Sequence, residues 1–149
     1  MIMGITNEMT LEFDGRTCNE GFARVAVAAF VTQLNPTLEE VADIKTAVSE
    51  AITNSIIHGY EYEVKKIRIH CGVENKKFYV TVSDQGKGIK NIAKAMEPMF
   101  TTKPDKDRAG MGFAFMEAFM DELSVESEPG KGCVVKMMKK IGAENNPFR

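Results

Sequence analysis

A chain of 149 residues, 44% hydrophobic and 27% charged, has the composition of one folded domain large enough to bury a core. Its formal net charge of −2 gives no electrostatic case for nucleic acid or an anionic membrane as partner. No apolar run approaches the ~18 residues of a spanning helix, MIMGITNEM is too short and polar for a signal peptide, and three dispersed cysteines (Cys18, Cys71, Cys133) make neither a disulfide framework nor a CxxC zinc pair, so a reduced, cytoplasmic protein is expected.

In chain order, MTLEF alternates Met9, Leu11 and Phe13 on one face and predicts a short strand. Thr17 with Glu20 reads as a capping box opening a helix over NEGFARVAVAAFVTQL, which NPT stops. Thr37 with Glu40 reads as a second box, opening a helix that Leu38, Val41, Ile44, Val48, Ile52 and Ile56 carry to Gly59 as its C′ residue. KKIRIHCGVENKKFYVTVSD predicts a hairpin turning at ENK, and DQGKGI breaks it. A short helix near NIAKAME, a long loop over PMFTTKPDKDRAGMG, a helix over FAFMEAFMDEL, a second hairpin turning at PGKG and a frayed tail over 142–149 complete the chain. This order predicts a single α+β domain spanning 1–149: a two-layer sandwich, its sheet mixed but mostly antiparallel, with helices on one face.

Four stretches carry chemistry. In SEAITNSIIHGY, Glu50, Asn54 and His58 stand at i, i+4 and i+8, one face of a helix. The plainer reading is a solvated helix edge with His58 structural. The functional one makes Glu50 a general base and Asn54, with its hard neutral oxygen, a ligand for Mg²⁺. The spacing is not HExxH, which disfavours zinc. In VSDQGKGI, Asp84 ends a strand where it can accept from an exocyclic amine such as that of adenine, and Gly86 and Gly88 allow close backbone approach; a plain turn is the alternative. RAGMGF nearly spells GxGxxG, but Phe115 occupies the last glycine position and a loop precedes it, so the Rossmann reading fails. Gly110 and Gly112 still suit phosphate at a helix N-terminus. Thr101, Thr102, Lys103 and Arg108 are loop donors that could close over polyphosphate, although exposed loops commonly carry such residues; Walker A is absent.

Taken in order, Glu-x₃-Asn-x₃-His on a helix, DxGxG after a strand, a long loop and GxG opening a helix resemble the GHKL (Bergerat) ATP-binding fold of gyrase, histidine kinases and MutL, over roughly residues 45–138. SEAITNSIIHGY, FTTKP and GMGF resemble the bacterial anti-sigma factor serine kinases more closely, and GFARVAVAAF, LNPTLEE and FMDELSVESE extend the likeness to nearly the full length. The resemblance implies that Glu50 activates an attacking hydroxyl, Asn54 binds Mg²⁺, Asp84 contacts the adenine amino group, and Gly86 and Gly88 shape the pocket. A lid from about Met96 to Gly112 would bring Gly110 and Gly112 to the phosphates of ATP or ADP, Arg108 to the phosphates or a partner, and Arg24 to protein partners. Those partners would be a sporulation sigma factor of the sigma F type, an anti-anti-sigma factor phosphorylated on serine, and a second copy of the chain, met through the first helix or strand. Cys133 departs from the family pattern, standing where a Thr near the adenine is usual; a thiol is a weak donor and acceptor. Two neighbouring readings are a serine kinase of a stress-response sigma system and a non-catalytic, nucleotide-gated binding module; a histidine kinase is disfavoured because neither His58 nor His70 precedes the Glu50 helix.

Overall fold

The structure, a computed structural model, describes residues 4–89, 96 and 112–142. Strand β1 (Asn7–Asp14) is followed by helix α1 (Cys18–Val31), a 3₁₀ turn (Thr32–Leu34) and helix α2 (Leu38–Asn54). Strands β2 (Lys66–Glu74) and β3 (Lys77–Asp84) form the first hairpin. Helix α3 (Gly112–Phe119) and the hairpin of β4 (Glu122–Ser127) and β5 (Cys133–Lys140) close the described chain. The helix expected near NIAKAME, the long loop before Gly112 and the tail beyond 142 lie outside the described residues.

The strands form one sheet in the order β1-β2-β3-β5-β4, antiparallel at every described pairing. The mostly antiparallel α+β sandwich expected from the sequence is therefore present, and among the described residues no parallel pair adds to it. Register follows from the alternation of apolar residues, because a slip by one residue would turn each buried set to solvent. Two cross-strand rows are apolar throughout: Met9, Cys71, Val80, Met137, Leu123, and Leu11, Ile69, Val82, Val135, Val125. They join Val27 and Val31 of α1, Ile44, Val48 and Ile52 of α2 and Met116 of α3 in one core. The opposite face carries exposed cross-strand ion pairs such as Arg68–Glu12 at 2.9 Å and Lys136–Glu126 at 3.1 Å.

Two capping expectations part ways. At α2 both bonds form: the Glu40 N–H donates to Thr37 Oγ1 (3.1 Å) and the Thr37 N–H to Glu40 Oε1 (2.8 Å). At α1, Thr17 is itself helical (φ −57°, ψ −31°) and its side chain caps nothing. The Glu20 carboxylate instead reaches α2, where Thr53 Oγ1 donates to it at 3.1 Å. The helix expected over FAFMEAFMDEL also ends early, at Phe119. The Asp121 N–H turns to the Met138 carbonyl (2.8 Å), starting the β4–β5 pairing that claims Glu122 and Leu123.

Candidate functional site

The C-terminal half of α2 is the spine of the site. Glu50 is only 3% exposed, inside a buried run from Ala47 to Ile52, and Asn54 ends the helix proper. The chain then widens into a π-helical turn, Ser55–Gly59, in which the Tyr60 N–H reaches back five residues to the Ser55 carbonyl (2.8 Å). Single π turns of this kind are inserted residues within a helix and recur at functional sites. Gly59 is thus not the left-handed C′ residue expected; the left-handed positions are Glu61 (φ 50°) and Tyr62 (φ 67°). His58 lies in this turn, half-buried.

Asp84 belongs to a third core-facing row of the sheet: Phe13, Ile67, Asp84, Cys133, Ser127. A carboxylate 4% exposed in such a row needs donors. Ser55 Oγ donates to Oδ2 at 2.7 Å, and the Gly86 N–H donates to Oδ1 at 2.8 Å. Burial pushes the Asp84 pKa above its usual value; the bonds from Ser55, the Gly86 N–H and the Cys133 backbone pull the other way. Beside it, burial first and the Asp84 charge second push the Cys133 thiol up to about 12, so this position offers a neutral thiol.

Gly86 and Gly88 are required by protein packing before any ligand is considered. A Cβ on Gly86 would run into the Gly59 backbone, and one on Gly88 (φ +77°) into the Glu128 carbonyl. The loop after Asp84 is held between the π turn on one side and the β4–β5 connection on the other.

Asn54 and Gly112 are brought together: a Cβ on Gly112 would lie 3.0–3.1 Å from the Asn54 amide nitrogen and oxygen. The first residue of α3, whose N-terminal N–H groups have no intrahelical partner, therefore stands against the candidate metal ligand. A neutral amide oxygen beside an anion-favouring helix end fits Mg²⁺, which takes few protein ligands and completes its shell with water and phosphate oxygens. No group of three His, Cys, Asp or Glu side chains suited to a metal occurs among the described residues. Thr101, Thr102, Lys103, Arg108 and Gly110 lie outside the described residues.

On the α1 side, an open cleft of about 400 Å³ runs between the two helices and is lined by Glu20, Arg24, Lys45, Thr46, Ser49 and Glu50. Arg24 Nη1 donates to Ser49 Oγ (3.2 Å) and lies 3.6 Å from Glu20 Oε1. Glu20 thus links Arg24 to Thr53, one residue before Asn54, a role hidden by its reading as a capping residue. The Glu20/Arg24 spacing of i, i+4 was the available signal. No described helix is long and apolar enough to cross a membrane.

Residues 19–139 match the family described as "Histidine kinase-like ATPase domain". A protein named anti-sigma F factor from Thermoanaerobacter sp. (strain X514) is 56% identical over 142 residues, covering 95% of this chain and 99% of that protein. One of the same name from Clostridium botulinum (strain Eklund 17B / Type B) is 56% identical over 136 residues, covering 91% of this chain and 95% of its own. Among solved structures, the RsbU and RsbW domains of Rv1364c from Mycobacterium tuberculosis superpose with a TM-score of 0.66 at 18% identity, over 91% of this chain and 32% of that one; the likeness is one of fold.

Proposed function

The chain belongs to the anti-sigma F factor family of histidine kinase-like ATPase domains, and from that premise we propose that it captures a sigma F type sporulation factor and uses ATP to phosphorylate a serine of an anti-anti-sigma protein. The observation that carries the transfer reading is the course of α2. One turn separates Glu50, at the floor of the solvent-open cleft, from Asn54, which lies against the N-terminus of α3.

In this reading adenine sits at the Asp84 end of the sheet and the phosphates extend toward Asn54 and Gly112. Asp84 accepts a hydrogen bond from the base. When bound at Asn54, Mg²⁺ neutralises phosphate charge, and phosphoryl transfer depends chiefly on such charge neutralisation and on positioning. A serine hydroxyl entering through the cleft meets Glu50, which orients it and takes its proton. The N–H groups opening α3, with Lys103 and Arg108 of the lid, hold the transferring group. Arg24, at the cleft mouth, meets the protein partner, and exposed Phe22 and Val25 on the same helix support a partner or second-copy surface there.

The test is transfer of label from γ-labelled ATP, with Mg²⁺, to an anti-anti-sigma protein encoded by the same genome. Acid-stable label on that partner is expected, abolished in Glu50→Gln while ATP binding persists; a general base contributes about 10²–10⁴-fold. Acid-labile label on this chain would instead indicate histidine phosphorylation. ATP bound with no label anywhere would reduce the protein to a nucleotide-gated binding module.

A further inference from the structure

The three backbone amides that follow Asp84 are all tied, one to the last residue of the π turn and one to Tyr60, which follows it. The Gln85 N–H donates to Tyr60 Oη (2.7 Å), the Gly86 N–H to Asp84 Oδ1 (2.8 Å), and the Lys87 N–H to the Gly59 carbonyl (3.0 Å). The Tyr60 hydroxyl also donates to the Lys66 carbonyl at the start of β2 (2.5 Å), so its proton is committed and its lone pair is turned to Gln85. Tyr60 is 4% exposed, which leaves the ring little freedom. Gly59 adds a steric limit: a Cβ there would lie 3.2–3.3 Å from the Asp84 carboxylate, so the bare backbone forms one wall of the space that carboxylate occupies. From the same turn, Ser55 donates to Asp84 Oδ2. Gly59 is the last residue of the helical segment, so its carbonyl points on past the helix end with no intrahelical N–H to meet it, and the Lys87 N–H takes it.

We propose that Gly59 and Tyr60 are positioning residues for base recognition, holding the Gln85–Lys87 amides so that the Asp84 carboxylate keeps the direction in which it meets a 6-amino purine. This rests on the reading of Asp84 as the acceptor of the adenine amine. The pair does not touch the nucleotide; it acts through Asp84, and so governs discrimination between bases more than affinity for the phosphates.

The experiment compares dissociation constants of the full-length chain for ATP and for purine riboside triphosphate, which lacks only the 6-amino group. It uses the unsubstituted protein, Tyr60→Phe, Gly59→Ala and Asp84→Asn. The unsubstituted protein is expected to prefer ATP by roughly 10- to 150-fold, the range of a hydrogen bond to a charged group. Tyr60→Phe is expected to lower that preference by about threefold or more while binding of the riboside triphosphate stays unchanged. Gly59→Ala, which keeps the Tyr60 hydroxyl and needs no left-handed backbone, should act in the same direction and decides the matter if Tyr60→Phe fails to fold. A preference lost in Asp84→Asn but intact in both turn variants, with the two ligands weakened equally, would overturn the inference alone. No preference in the unsubstituted protein would overturn the Asp84 reading and the inference with it.

Discussion

In Asp84→Asn one buried carboxylate oxygen becomes an amide NH₂ with almost no change in volume. The Gly86 N–H, 2.8 Å from Oδ1, can only donate, so the amide oxygen must remain on that side. The NH₂ then faces Ser55, whose hydroxyl, 2.7 Å from Oδ2, can rotate to accept. The bonds to the Gly86 N–H and to Ser55 survive and the desolvation of a buried charge disappears, so the melting temperature is expected to hold or rise slightly. What is lost is the negative acceptor offered to the base amine. Such a bond contributes about 1.5–3 kcal/mol, so the Kd for ATP measured by titration calorimetry should rise roughly 10- to 150-fold. Acid gives an independent check. Because burial holds the native Asp84 pKa above 3.8, the folded chain binds this proton more tightly than the unfolded one. As pH falls through the raised native pKa toward 3.8, this group therefore adds stability, and that stability is lost again as pH rises. The same protonation removes the acceptor and weakens ATP binding. Both trends should be missing in Asp84→Asn. A folded Asp84→Asn protein with an unchanged Kd for ATP would refute the assignment.

Arg24→Glu should cut sigma-factor capture in a pull-down by roughly tenfold or more, as loss of an arginine anchor does at an interface, and leave the Kd for ATP unchanged; weakened ATP binding as well would point to misfolding of the α1–α2 pair. Thr37→Ala removes a capping box with both bonds formed, and should cost about 0.5–2 kcal/mol, seen as a fall of a few degrees in melting temperature with ATP affinity intact. Cys133→Thr places a hydroxyl beside Asp84 in the buried row. If that hydroxyl reaches the nucleotide, ATP binding should tighten roughly two- to twelvefold, the equivalent of about 0.5–1.5 kcal/mol, and an unchanged Kd would show that it does not.

Much of the fold was legible from local pattern, because local pattern is what strands and helices obey. Alternation located β1, β2 and β3 and their faces, since one buried side fixes a period of two, and the PGKG turn marked the β4–β5 hairpin. The box at Thr37 was readable because its two bonds close within four residues. The identical signal at Thr17 failed for a tertiary reason: Glu20 had a better use 33 residues away at Thr53. Gly59 shows the same limit. A glycine ending a helix predicts a left-handed cap, yet here its missing side chain makes room for the Asp84 carboxylate, 25 residues distant, and its backbone fills the space that a side chain on Gly86 would need. Glu50, Asn54 and Asp84 were identifiable as chemistry-bearing types at telling spacings. That Asp84 lies in a buried row between Ile67 and Cys133, and that Asn54 meets Gly112, follows only from strand order and helix packing. The sequence alone was enough to single out Glu50, Asn54 and Asp84 as candidates for the proposed chemistry and to put them on a helix and at a strand end. The tertiary structure decided which of them meet, because antiparallel register and close packing, not proximity along the chain, set the distances between them.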